Sequence, residues 1–294
     1  MWSQLLFHSK SLLAEGLHWD SRRSLLWFVD IESKELCSLD IDIPSIRRIK
    51  VPEKIGWVIT EKNNDNLIIG LKSGIASINP DNDEIEINWI TKSFPTNEKL
   101  RLNDAKADPL GCIWMGSLND ENQNLPEGVL ARINRLGSIK VFDSGYKVTN
   151  GPAIDPQSKR FLHTDSLRRT IYEFDINFET SELSNKRVWK VFEKKYGFPD
   201  GMCFDSDGNV WVANWGVGLV TKLDANSDIV KSVKIPSLNV SNVCFAGSKM
   251  DRLIVTTASE DKTFASDQNR GRGAIFEIVD HKTSGAKVYS SNIF

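Results

Sequence analysis

Short apolar runs alternate with polar turns along the whole chain, and the runs are too brief for helices. "GLHWD", "LLWFVD", "ELCSLD" and "GWVIT" are each bounded by Asp, Gly, Pro, Ser or charged residues, the punctuation expected between β-strands. No apolar period of 3.6 residues is sustained over a useful length, so helices should be scarce. The same plan recurs in "EGLHWDSRRSLLWFVD", "NDAKADPLGCIWMGSL", "NGPAIDPQSKRFLHTD" and "DGMCFDSDGNVWVANW": a strand closing on Asp, a polar turn, and a second strand often rich in Trp and β-branched residues. A third strand follows most copies, as in "KELCSLD", "GVLARIN", "RTIYEFD" and "GLVTKLD". Two weaker copies, "GWVITEKNNDNLIIGLKSGIASIN" and "SNVCFAGSKMDRLIVTTAS" with "GAIFEIV", complete the series.

The unit starts lie roughly 40 to 50 residues apart, the period of propeller blades. The pattern predicts an all-β, six-bladed β-propeller with four-stranded antiparallel blades, in which residues 1–294 form a single domain. "MWSQLLFHSK", ahead of the first unit, is expected to pair into the last blade and close the ring.

In such a fold the first strands line a central channel and start at one end of it, so equivalent positions meet. Counting back five residues from the shared Asp20, Asp108, Asp155 and Asp205 reaches Glu15, Asn103, Asn150 and Asp200. The sixth unit offers Ser241 at that point, and the second a position near Gly56. Asp and Asn are common turn formers. Four oxygen-bearing side chains in register, one of them a Glu, instead mark a binding site. Carboxylates and amides suit Ca²⁺, Mg²⁺ or Mn²⁺, and like charges drawn together call for a cation between them. One bound divalent cation is expected.

Composition narrows the remaining choices. The 294 residues are 40% hydrophobic, enough for a full core, and 37 Lys+Arg against 39 Asp+Glu leave a formal charge of −2, so nucleic acid is not an expected partner. No segment approaches the roughly 20 apolar residues of a membrane span, and no leader is evident, which predicts a cytoplasmic protein with no membrane partner. Cys37, Cys112, Cys203 and Cys244 stand far apart and read as buried thiols. There is no G-x-S-x-G, Walker A or H-E-x-x-H segment, and the four His lack ligand spacing. His163 in "FLHTDS" is expected inside the sheet as a structural histidine with a hydrogen-bond partner. Trp27, Trp114 and Trp211 recur in second strands and should pack blade on blade. Asp30, Ser117, Asp165 and Asn214 end second strands in register, either supporting the site residues or capping strands.

"EGLHWD", "RLNDAKADPLGCIWMGSL", "NGPAID" and "PDGMCFDSDGNVWVANWGVG" resemble the signature segments of the regucalcin, gluconolactonase and luciferin-regenerating enzyme family, in the same order through nearly the whole chain. The resemblance implies a six-bladed propeller that hydrolyses a sugar lactone to the aldonic acid with one divalent cation (Ca²⁺, Mg²⁺, Mn²⁺ or Zn²⁺). It implies Glu15, Asn150 and Asp200 as metal ligands and Asp200 as the catalytic general base. Arg101, Asn103 and Glu121 take the place of substrate-binding residues. Two other readings stay open at this point: a non-catalytic propeller that binds calcium or a protein, and a hydrolase of another ester class.

Overall fold

The computed structural model describes residues 1–293 except 83, 96, 156, 158 and 260–270. Six four-stranded antiparallel sheets stand as the blades of a six-bladed β-propeller. In the first blade the strands Ala14–Asp20, Leu25–Asp30, Glu35–Asp40 and Ser45–Lys50 pair in chain order. Blades two to five repeat this order, with first strands Ile55–Thr60, Leu100–Ala107, Thr149–Asp155 and Phe198–Phe204. The last blade takes Val240–Ala246, Arg252–Thr257 and Ile275–Val279 and borrows its outer strand, Trp2–Phe7, from the N-terminus. That is the ring closure expected of "MWSQLLFHSK". One 3₁₀ turn, Lys194–Tyr196, is the only helical element among the described residues, and no helix there is long and apolar enough to cross a membrane.

Burial follows position in the blade. The first strand of the first blade is buried throughout, whereas its fourth, Ser45–Lys50, alternates towards solvent. Inner strands are sandwiched between neighbouring blades and so lose the in–out alternation of a one-sided sheet. Six apolar clusters, one at each blade–blade interface, hold the ring among the described residues. Trp27, Trp114 and Trp211 lie fully buried in three of them, as the repeat predicted.

The Asp that closes the first strand has a defined structural task. Indole Nε1 of Trp27 donates to Asp20 at 3.3 Å, that of Trp114 to Asp108 at 3.0 Å and that of Trp211 to Asp205 at 3.1 Å. Each carboxylate also accepts backbone amides of the turn that follows it, such as Leu110 and Cys112 on Asp108. Turn, strand end and interface Trp are thereby tied together in one repeating unit.

Candidate active site

Every first strand carries one extra residue at the same level. Pairing steps from Glu15 to His18 against Val29 to Trp27, and from Leu102 to Ala105 against Ser117 to Met115. The same irregularity falls at Ile55/Trp57, Asn150/Ala153, Pro199/Met202 and Val240/Asn242. A bulge of this kind breaks the strict alternation of a strand and re-aims side chains. It lets neighbours on one strand both reach the interior: Asp104 beside Asn103, and Asn242 beside Ser241, join Glu15 and Asp200 there. Gly201 is required where it stands, since a Cβ there would lie 2.4 Å from the Asn242 side chain.

One hydrogen-bonded chain orients the site across three blades. Ser166 Oγ donates to Pro199 O at 2.6 Å and accepts Asn150 Nδ2 at 2.8 Å. Asn150 Oδ1 accepts Asn103 Nδ2 at 2.9 Å, and Asn103 Oδ1 accepts Arg101 Nη1 at 2.6 Å. Arg101 Nε is paired with Asp120 at 3.0 Å, and Asp120 is itself held by Lys54 at 3.2 Å. Asn150 is thus fixed with its nitrogen towards Ser166 and its oxygen towards Asn103. On the other side of the channel, Asn242 Nδ2 donates to Glu15 Oε2 at 2.8 Å.

Three carboxyls, Glu15, Asp104 and Asp200, share this interior, all of them buried. Burial and then the nearby Asp104 push Glu15 up to about 8, against the pull of Asn242, Gly16 N and Lys106. Burial, then Glu15 and Asp104, push Asp200 well above the usual carboxylate range. Asp104 is raised by burial, with Lys106 opposing. Asp200 Oδ1 and Asp104 Oδ2 are buried and have no hydrogen-bond partner. Orphaned carboxylate oxygens in an oxygen-only set fit a hard divalent cation, whose charge would relieve the crowding. The set includes an amide and is not a cluster of three acidic, thiol or imidazole ligands; none of that type occurs among the described residues.

A cavity of about 230 Å³ opens over these groups, lined by Glu15, Arg101, Asn103, Asn150 and Asp200, with Gln123, Ser166, Phe198 and Trp215 completing the wall. Five of the six residues singled out in the sequence are therefore brought together. Glu121 is not: its side chain is 63% exposed, 4.0 Å from Lys99, and does not line the cavity. Gln123 occupies that wall instead, because Asn119 Oδ1 caps the backbone amides of Glu121 and Asn122 and turns the loop there. Ser241 bonds Ala14 O at 2.5 Å, and its neighbour Asn242 reaches Glu15. Asp104, Asn242 and Ser166 escape a five-residue count, although the polar pairs "ND" and "SN" inside apolar strands are a usable signal.

Asp30 accepts the amides of Leu12 and Leu13, and Asp165 that of Lys147, so both cap the chain leading into a first strand and fix where Glu15 and Asn150 begin. His163 is fully buried as expected of a structural histidine, but neither ring nitrogen finds a partner. It stands edge-on to Tyr146 with centroids 4.8 Å apart, and burial lowers it to about 3.

Residues 13–259 match the family model described as the SMP-30/Gluconolactonase/LRE-like region. The chain is 29% identical to pentonolactonase XacC of Haloferax volcanii over 288 residues, covering 96% of this chain and 95% of that one. It is 29% identical to regucalcin of Gallus gallus over 290 residues, with 94% of each covered. A solved luciferin-regenerating enzyme superposes with a TM-score of 0.90 at 26% identity, over 98% of this chain and 99% of the other.

Proposed function

The chain belongs to the SMP-30/gluconolactonase/LRE-like family, and from that premise we propose that it hydrolyses a sugar lactone to the aldonic acid with the help of one divalent cation. The observation that carries this reading is the meeting of Glu15, Asn103, Asn150, Asp200 and Arg101 around one cavity at the channel mouth. We take residues 1–294 as one functional unit, since strands from both ends of the chain share the last blade.

Glu15, Asn150 and Asp200 would hold the cation, with Asp104 beneath them. When bound, it supplies a Lewis acid for the lactone carbonyl and for water. Asp200 would take the proton of the attacking water, a role supported by its buried Oδ1, which has no hydrogen-bond partner. Arg101 spends Nε on Asp120 and Nη1 on Leu102 O and Asn103, which leaves Nη2 for substrate hydroxyls on the cavity side. Asn103 has both Nδ2 bonds committed to Thr149 O and Asn150 Oδ1, so its main task is to orient Asn150 and Arg101. Phe198, Leu118 and Trp215 keep the wall apolar and reduce access of bulk water.

The volume of about 230 Å³ favours a sugar-sized ring over a bulky ester. The relatives named pentonolactonase and regucalcin support a lactone and a calcium-class ion respectively. The test follows proton release at near-neutral pH over a panel of five- and six-membered aldonolactones, after chelation and then with Ca²⁺, Mg²⁺, Mn²⁺ or Zn²⁺ restored. Acid production above the uncatalysed rate, abolished by chelator and returned by metal, is expected. Hydrolysis that is untouched by chelation would refute the metal-dependent reading.

A further inference from the structure

Beneath the three carboxyls stands one cation of the protein's own. Lys106 follows Asp104 by two residues on the same first strand, and its side chain is 20% exposed. Its Nζ donates across the channel to Leu17 O of the first blade at 3.2 Å and lies 4.0 Å from Asp104 Oδ1. The ammonium acts electrostatically on Glu15 and Asp104 on one side and on His18, Cys203 and Cys244 on the other. It therefore sits between the acidic site and a second cavity farther down the channel, which it lines. Among the described residues, none lines both cavities.

Charge balance gives this placement a consequence. Once a bound cation displaces the protons that burial favours, Glu15, Asp104 and Asp200, offset by Lys106, leave two negative charges in the interior. Arg101 and Lys54 do not alter the balance, because Asp120 and Glu32 offset them. We infer that Lys106 tunes the metal site to the charge of one divalent cation, weakening its hold on ions generally and on trivalent ions most. This inference rests on the metal-dependent reading above. A fixed ammonium repels a bound ion in proportion to the ion's charge, and in a buried setting that repulsion is poorly screened. Its role is to position charge; it need not touch substrate.

The test is calorimetric titration of chelator-stripped protein with Ca²⁺ and with Tb³⁺, comparing wild type with Lys106→Met. The variant should bind Ca²⁺ about tenfold tighter and Tb³⁺ about thirtyfold tighter, because Coulomb energy scales with ion charge. Lys106→Arg should keep wild-type affinities. Lys62→Met, which removes an exposed lysine from the far face, should also leave both unchanged. If Lys106→Met folds poorly, Lys106→Gln carries the same expectation. Affinities of the neutral variant equal to or weaker than wild type, or equal gains for both ions, would overturn the inference while leaving the metal site standing. A wild-type protein that binds neither ion would remove the metal reading, and this inference with it.

Discussion

Ser166 shows how much of the site's accuracy is held by residues that need not touch substrate. Its hydroxyl joins Pro199 O, next to Asp200, to the amide nitrogen of Asn150. Ser166→Ala leaves that nitrogen free to turn, so metal affinity should fall about 10- to 100-fold, the usual cost of losing an outer partner of a ligand. Calorimetric titration checks it. At the cavity wall, Gln123→Ala should raise KM for a lactone, whereas Glu121→Ala, on an exposed side chain, should leave kcat/KM within about twofold. Glu15, Asn103, Asn150 and Asp200 were legible because a shared Asp gave each copy a common ruler. Asp104 and Asn242 were not, because simple alternation sends the neighbour of an inward residue outward, and only the bulge brings both in.

Two buried histidines make a prediction about acid. Burial lowers both His18 and His163 to about 3, so each is neutral in the folded protein well below the ordinary histidine range. His18 Nε2 accepts Thr60 N at 3.3 Å and, as that acceptor, takes the Thr60 hydroxyl at 2.9 Å. The unfolded chain takes up a proton at each near pH 6.5, so their stabilising contribution is complete above that pH. It is lost as pH falls towards 3, by about 1.4 kcal/mol per pH unit for each histidine. Glu15 and Asp200, raised in the folded chain, act in the opposite sense over the same range, so the histidine contribution is read as a difference: denaturant melts between pH 7 and 4.5 should show His163→Phe losing less stability than wild type as pH falls.

At the scale of the element, the recurring unit is a strand closed by an Asp that also holds the next strand's Trp. Asp108 is fully buried and accepts Leu110 N, Cys112 N, Trp114 Nε1 and Ser181 Oγ. Asp108→Ala strands several buried donors and should cost about 3 kcal/mol or more in denaturant unfolding. The period of these units was readable because it is written in types that turns and interfaces demand. The bulges were not, since an extra residue within an apolar strand changes pairing without changing composition.

At the scale of the molecule, the N-terminal strand completes the last blade, pairing Trp2–Phe7 with Ile275–Val279. Removing residues 1–8 would expose that sheet edge and forfeit the ladder that joins the two ends of the chain. Tm should drop by about 5–10 °C, read by calorimetry. Ring order and closure were visible in the sequence, because six unequal copies still keep one spacing. The far mouth was not, because the segment crossing it, from Gly285 to Asn292, follows no strand pattern: Gly285 bridges to Asp205, and Ser291 N bonds Thr60 O at 2.8 Å.

The central claim is that a row of residues from four of the six first strands, Glu15, Asn103, Asn150 and Asp200, makes a metal-dependent lactonase. Its most direct test measures Mn²⁺ bound per chain and aldonolactone hydrolysis on the same samples of wild type, Glu15→Gln and Asp200→Ala. About one ion per chain and metal-dependent acid release are expected in wild type, with both lost together in each variant whose melting curve shows it folded. Undiminished hydrolysis in folded Asp200→Ala, or a full complement of metal in both variants, would contradict it.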